Sequence, residues 1–229
     1  AVLITGCSQY LLSEFQEIFP QKDSGKCFTV HNGVGEFYLT QRVTENKNNH
    51  IFTAARFVPK KGLELLFEAF QQDTDIALLI AGGDEKELEK LKIRIIKGTS
   101  LLGKLSPADL ANHLSNSRIT VIPSKNEPYG IIVAEAICCG SPVVATKIGG
   151  IPEVITLAKK DLSEKEEKVF NIWVKLVEPE TGSIRAGMNE ILKNKDSIDE
   201  YIEIIPKVRK QFSWHKRLKE FNNTKALLV

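Results

Sequence analysis

Residues 119–153 read ITVIPSKNEPYGIIVAEAICCGSPVVATKIGGIPE, and the reading of this stretch decides the fold. Ile119–Ile122 is a short apolar run bounded by Pro123, the pattern of a buried strand. Gly130–Cys139 has the apolar density of a helix buried on most sides, and Gly140 stops it. Pro142–Ala145 is a second apolar strand. Two apolar strands joined by one helix make a parallel βαβ unit. The loop between strand and helix carries Glu127, and Glu135 lies within the helix.

Outward from this unit the alternation continues. Upstream, Val2–Thr5 reads as a strand, a helix follows near Gln9–Phe19, and Cys27–Val30 is a strand running into the turn pair Asn32-Gly33. Gln41–His50, polar and rich in asparagine, reads as a linker. Strands at Ile51–Ala55, Ile76–Ala81 and Ser100–Leu102 alternate with helices at Gly62–Phe70, Glu85–Leu91 and Ser106–Ser115. The first of these helices puts Leu63, Leu66, Phe67 and Phe70 on one face. The last is opened by Ser106-Pro107, a cap followed by proline at the first helical position. Downstream, Leu157–Lys168 is so dense in Lys, Asp and Glu that it reads as an exposed, mobile insertion. Trp173–Val177 is the final strand, and the remainder is helical. The fold class is therefore α/β, a doubly wound, Rossmann-like parallel sheet covered on both faces. In such sheets ligands bind beyond the carboxyl ends of the strands.

Bulk composition narrows the function. The chain has 229 residues, 42% hydrophobic and 26% charged, with net charge +2. That charge, with no dense basic run interleaved with aromatics, excludes nucleic acid as a partner. Cys7, Cys27, Cys138 and Cys139 form no CxxC and read as reduced thiols of a cytoplasmic protein. The most apolar long window, Tyr129–Thr146, contains Glu135, Gly140 and Pro142 and so is not a membrane span. His31, His50, His113 and His215 share no ligand spacing, so no metal is expected. Asp73-Thr74-Asp75 has the form of a metal-binding DxD but precedes a strand, the wrong end of the sheet for a ligand, and reads as a solvated turn.

The chemistry concentrates around residues 123–135. Gly130 opens a helix whose first amides lack intrahelical partners, which favours an anion. Glu127 and Glu135 flank those amides, and carboxylates accept hydrogen bonds from sugar hydroxyls. A glutamate in an apolar helix is costly without a partner, so Glu135 points to a ligand. Arg56 follows directly on a strand, with Lys61-Gly62 beyond it. Taken alone, Glu127, Arg56 and Lys61 read as ordinary surface charges; for Arg56 the place just after a strand, with Lys61-Gly62 beyond, reverses that reading.

This arrangement resembles the E-x7-E motif of family-four glycosyltransferases, retaining enzymes of the GT-B fold with two Rossmann-like domains. The resemblance extends through Ala55-Arg56 with Lys61-Gly62, Leu101-Leu102-Gly103-Lys104-Leu105, Val121-Ile122-Pro123-Ser124, Gly149-Gly150-Ile151-Pro152-Glu153 and Phe212-Ser213-Trp214, in order along nearly the whole chain. It implies a nucleoside-diphosphate sugar as donor and no cofactor. By resemblance, Arg56 and Lys61 neutralise the diphosphate, Glu127 binds donor-sugar hydroxyls and Glu135 both ribose hydroxyls. The amides of Tyr129, Gly130 and Ile131 face sugar and phosphate, while Leu105 and Ile132 line the base or ribose pocket. Arg56, Lys61 and Glu127 form the catalytic group. Glu153 would cap its own helix or touch the ligand. Residues 1–40 correspond to the end of a first domain and its linker, and 41–229 to the donor-binding domain, its last helix crossing back. The first domain's glycine-rich loop and histidine would lie upstream of Ala1, so the chain is expected to be a piece of a longer protein. The acceptor, and peripheral membrane contact as in many relatives, would belong to that first domain. Two rivals remain: a non-hydrolysing sugar-nucleotide epimerase, and a non-catalytic nucleotide-binding subunit.

Overall fold

The computed structural model describes residues 4–20, 27–70, 76–194 and 198–226. Asp73 and Asp75, and Val2–Leu3 of the expected first strand, lie outside the described residues. The chain begins with a small parallel pair, β1 (Ile4–Gly6) and β2 (Cys27–Thr29), with α1 (Gln9–Ile18) beside it. A short helix, α2 (Glu36–Thr40), then leads to the main sheet.

The main sheet contains β3 (Asn48–Ala54), β4 (Ala77–Ala81), β5 (Thr99–Gly103), β6 (Ser117–Ile122), β7 (Val143–Thr146) and β8 (Val174–Val177). Their order is β5-β4-β3-β6-β7-β8, every pair parallel. Between them run α3 (Leu63–Ala69), α4 (Glu85–Lys90), α5 (Pro107–Asn116), α6 (Ile131–Cys138), α7 (Ile151–Lys159) and α8 (Glu164–Trp173). After β8 come α9 (Thr181–Lys193), α10 (Asp199–Phe212) and α11 (Trp214–Ala226). Helices α3 and α9 pack together on one face, and α5, α6, α7 and α10 on the other. Coverage on both sides explains why Val121, Val143, Val144 and Ala145 are wholly buried and why the strands lack alternation.

Three expectations are corrected. Leu157–Lys168 is no exposed insertion: it holds the end of α7, with Leu157 and Ala158 buried, and the start of α8. Ser163 and Glu166 form a reciprocal capping box there, and Phe170 and Trp173 turn inward. Its charge density is that of a solvated helix face, tied by Lys159–Glu167 (3.4 Å) and Lys207–Glu166 (2.5 Å). The linker ends earlier than its polarity suggests. Asn48–His50 join β3 because backbone pairing to β4 and β6 takes no account of side-chain polarity. Asn32-Gly33 makes no turn; the Trp214 indole lies against Gly33, where a Cβ would come within 2.6 Å of it.

Candidate functional site

The sheet order reverses between β3 and β6. From β3 the chain moves outward to β4 and β5, and from β6 to β7 and β8. The carboxyl ends of these two strands are therefore the switch point, the place where such sheets bind ligands. Arg56, exposed, follows β3; Lys61 ends a 3-10 turn, Pro59–Lys61; Pro123–Tyr129 follows β6.

Close backbone contacts stitch the two loops together. The amides of Lys125 and Asn126 donate to the Lys60 carbonyl (2.8 and 3.2 Å). Gly62 has φ +63° and faces the Pro123 carbonyl so closely that a Cβ would lie 2.0 Å from its oxygen. Only glycine accepts both the left-handed backbone and that approach. The stitching brings the Lys61 ammonium onto the Glu127 carboxylate, to which it donates in a largely buried ion pair, the side chains 15% and 12% exposed. Arg56 makes no ion pair among the described residues and projects from the same loop.

The segment after β7 fixes Glu127 from the other side. The Gly150 amide donates to the Glu127 carbonyl (2.9 Å), and a Cβ on Gly149 (φ +55°) would lie 2.0 Å from that oxygen. Gly130, at φ +96°, turns the chain into α6, which starts without a side-chain cap, so Ile131 and Ile132 present a bare helix N-terminus. Both are half-buried, as is Leu105 just past β5. Gly82 and Gly83, beyond β4, let that strand's end lie under Ala55 and Phe57 and so support the Arg56 loop.

Glu135 lies one turn along α6 from Ile131 and is half-buried. Burial raises its carboxyl pKa to about 7, and the neighbouring Tyr38 hydroxyl of α2 opposes the shift. Tyr129 is buried; its hydroxyl donates to the Asn32 carbonyl (3.1 Å), and its ring packs near His31. Lys61 and Glu127 thus meet beyond the carboxyl ends of β3 and β6, with Arg56 on the same loop as Lys61, and α6, which carries Glu135, begins just after Glu127.

Several contacts escaped the sequence reading. Glu153 does not cap its own helix: its carboxylate accepts from the Gln9 and Tyr10 amides (2.7 and 2.8 Å) and so caps α1, with His31 Nε2 3.4 Å away. Ser8, fully buried, donates to the Pro128 carbonyl (2.5 Å) and accepts from the Leu11 amide. Beside it, burial pushes the Cys7 thiol pKa up, with the Glu153 and Glu127 carboxylates adding to the shift. The end of β1 is thereby tied to the loop after β6 and to α7. These contacts join residues more than a hundred positions apart, and no local spacing announces them. Tyr38 had no signal beyond its position in a short stretch before the linker.

Among the described residues, no group of three or more His, Cys, Asp or Glu is placed to hold a metal, and no helix is long and apolar enough to cross a membrane. A concavity bounded by Lys47, Arg118, Pro142 and Trp173 lies at the amino ends of the strands, the end opposite the switch point.

An open parallel sheet with cations, a helix N-terminus and a carboxylate at its switch point defines a Rossmann-like domain suited to an anionic, hydroxyl-rich ligand. Residues 36–207 match the family described as glycosyl transferases group 1, and the chain belongs to that family. It is 24% identical over 213 residues to an uncharacterised glycosyltransferase of Methanocaldococcus jannaschii, covering 91% of this chain and 55% of that one. Its fold is that of GT-B glycosyltransferases. A sucrose-phosphate synthase of Thermosynechococcus elongatus superimposes with TM-score 0.77 at 18% identity, over 99% of this chain and 58% of the other. An Anabaena protein crystallised in complex with UDP and glucose gives 0.73 at 18% identity, over 99% and 63%. The chain spans about half the length of the curated relatives it matches.

Proposed function

We propose that this chain is the donor-binding half of a retaining family-four glycosyltransferase, moving a sugar from a nucleoside diphosphate to an acceptor. The observation that carries the reading is the meeting of Lys61 and Glu127 at the switch point, with Arg56 on the same loop. Arg56 offers a planar fork and Lys61 a point charge for the diphosphate. As the sugar bond breaks they stabilise charge developing on the leaving group. The α6 N-terminus, with the amides of Tyr129, Gly130 and Ile131, faces sugar and phosphate. Glu127 takes sugar hydroxyls, Glu135 the ribose hydroxyls, and Leu105 and Ile132 line the nucleoside side.

In this reading the Lys61–Glu127 pair is the ligand-free arrangement, and the incoming diphosphate and sugar share those charges between them. Binding needs neither metal nor cofactor, because cationic side chains and a helix terminus do the neutralising. The UDP complex of the Anabaena relative in fold supports a nucleotide at this switch point. Residues 1–40 form the end of a first domain and its linker, which the separate β1–β2 pair supports. Its open apolar groove, lined by Ile4, Leu11, Leu12, Phe15 and Ile18, is suited to the rest of that domain. The test is product stereochemistry from a polypeptide carrying both domains. Retention at the anomeric carbon is expected. Inversion contradicts the retaining reading, and epimerised sugar nucleotide without acceptor identifies the epimerase instead.

A further inference from the structure

We propose that Tyr129 is a positioning residue: its hydroxyl makes the loop after β6 and the strap of residues 30–35 move as one body, so that the placement of the β1–β2 piece sets the affinity of the donor site. This rests on the reading of the donor site given above.

Residues 30–35 form neither helix nor strand and run from β2 to α2. Backbone groups of this strap bond to three parts of the chain. At its start the Val30 amide donates to the Gly6 carbonyl of β1 (2.8 Å). At its end the wholly buried Val34 donates its amide to the Phe212 carbonyl of α10 (2.8 Å). Between them the Asn32 carbonyl accepts from the Tyr129 hydroxyl (3.1 Å). One end of the strap thus belongs to the small sheet, the other to the main domain, and its middle to the loop after β6. Tyr129 is fixed well enough to transmit a shift. It is 3% exposed, and its ring centroid lies 5.9 Å from that of His31. Its backbone presses on Gly150, where a Cβ would come within 2.8 Å of the Tyr129 Cα and 2.5 Å of the Pro128 carbonyl oxygen. That carbonyl accepts from Ser8 (2.5 Å), so two successive residues of the loop are bonded to the leading part of the chain. Gly130 follows and opens α6, so a shift of Tyr129 passes to the amides proposed to face sugar and phosphate. A phenylalanine would fill the same space. The hydroxyl of a buried tyrosine needs a partner, and here that partner is the strap. Ligand binding and strap placement are then coupled, and the coupling is reciprocal.

The experiment is amide hydrogen exchange at Val34, followed by nuclear magnetic resonance in the wild-type chain and Tyr129→Phe. Each is measured without ligand and saturated with UDP, GDP or ADP, whichever calorimetry shows to bind most tightly. The rate is taken relative to the Thr120 amide of β6, which donates to the Pro142 carbonyl in the middle of the sheet and reports global unfolding. Without ligand, Tyr129→Phe is expected to speed Val34 exchange about two- to tenfold, the worth of one hydrogen bond. Nucleotide is expected to slow that exchange in the wild type and to leave it nearly unchanged in Tyr129→Phe. A merely structural tyrosine would speed Val34 exchange yet leave the slowing by nucleotide intact. That outcome overturns the inference, as does wild-type Val34 exchange that nucleotide does not alter or ligand-free exchange that Tyr129→Phe does not speed; the donor reading stands in each case. No binding of any of the three nucleotides to the wild type contradicts the donor reading and this inference with it. Trp214→Ala tests the coupling without touching Tyr129. The indole lies against Gly33 from the far side of the strap, and at 51% exposure its loss spares the core. It is expected to weaken nucleotide binding severalfold in the wild-type background and not to weaken it further in Tyr129→Phe. Unchanged affinity in Trp214→Ala overturns the inference.

Discussion

Glu127 and Glu135 sit eight positions apart and face opposite demands. Glu127 is neutralised by Lys61, whereas Glu135 is half-buried with its carboxyl pKa raised by burial to about 7. Substituting Glu135 by alanine should therefore weaken bare nucleotide and nucleotide sugar alike, by about 1.5–3 kcal/mol, the worth of a hydrogen bond to a charged group. Glu127→Ala should weaken only the sugar-bearing ligand and leave bare nucleotide unchanged or bound more tightly, since Lys61 is released to the diphosphate. Calorimetry with both ligands separates the two, and equal losses on bare nucleotide would show Glu127 misplaced. The raised pKa also has a stability consequence. The folded chain holds the Glu135 proton up to about pH 7, while the unfolded chain releases it near the ordinary value of 4.5. Across that window the folded state binds more protons, so the glutamate's contribution to stability falls as pH rises. Glu135→Gln, which stays uncharged, should raise the melting temperature by a few degrees at pH 8. The gain should shrink toward pH 5, and a gain independent of pH would contradict the buried-carboxylate account. That Lys61 and Glu127 lie in the loops after two strands could be read from the sequence. Tyr38, Ser8 and the true partner of Glu153 could not, because their contacts come from distant parts of the chain.

At the scale of elements, short apolar runs predict every strand of the main sheet within a few residues. These strands are buried on both faces, and burial writes itself into composition. Two elements escaped. Helix α2 has five residues, too few for a helical period to show. Helix α8 hides under its charges, because composition reports the outer face and only spacing reports Phe170 and Trp173 within. The loops at the switch point depend on glycines whose need is steric. Gly62, Gly103 and Gly149 have φ +63°, +64° and +55°, yet only Gly62 and Gly149 press on a neighbouring carbonyl. Alanine at Gly103 should cost about 1–2 kcal/mol, the left-handed penalty alone. At Gly62 or Gly149 it should cost clearly more and loosen the Lys61–Glu127 pair. Denaturant unfolding of the three variants checks this, and equal losses would mean that the loop contacts do not hold the site.

For the whole molecule, the parallel sheet and its switch point bring Lys61 and Glu127, the groups proposed to hold the donor, to the carboxyl ends of β3 and β6, with β1 and α1 joined to the same region through Ser8 and Glu153. Retaining transfer also needs an acceptor hydroxyl held against the anomeric carbon, and that positioning can be worth about 7–11 kcal/mol of barrier. A site open to solvent also leaves a bound diphosphate hydrated, which weakens the help from Arg56 and Lys61. This chain by itself should therefore bind donor yet transfer no sugar, with at most slow hydrolysis. Mass spectrometry of incubations with a panel of acceptors checks this, and robust turnover would show the catalytic apparatus complete within these residues. The most direct measurement is calorimetric titration of the purified chain with UDP-, GDP- and ADP-sugars in EDTA. Saturable binding of at least one of them is expected, lost or strongly weakened by Arg56→Ala. Binding that appears only with magnesium or manganese, or that is indifferent to Arg56, would contradict the proposed metal-free donor site.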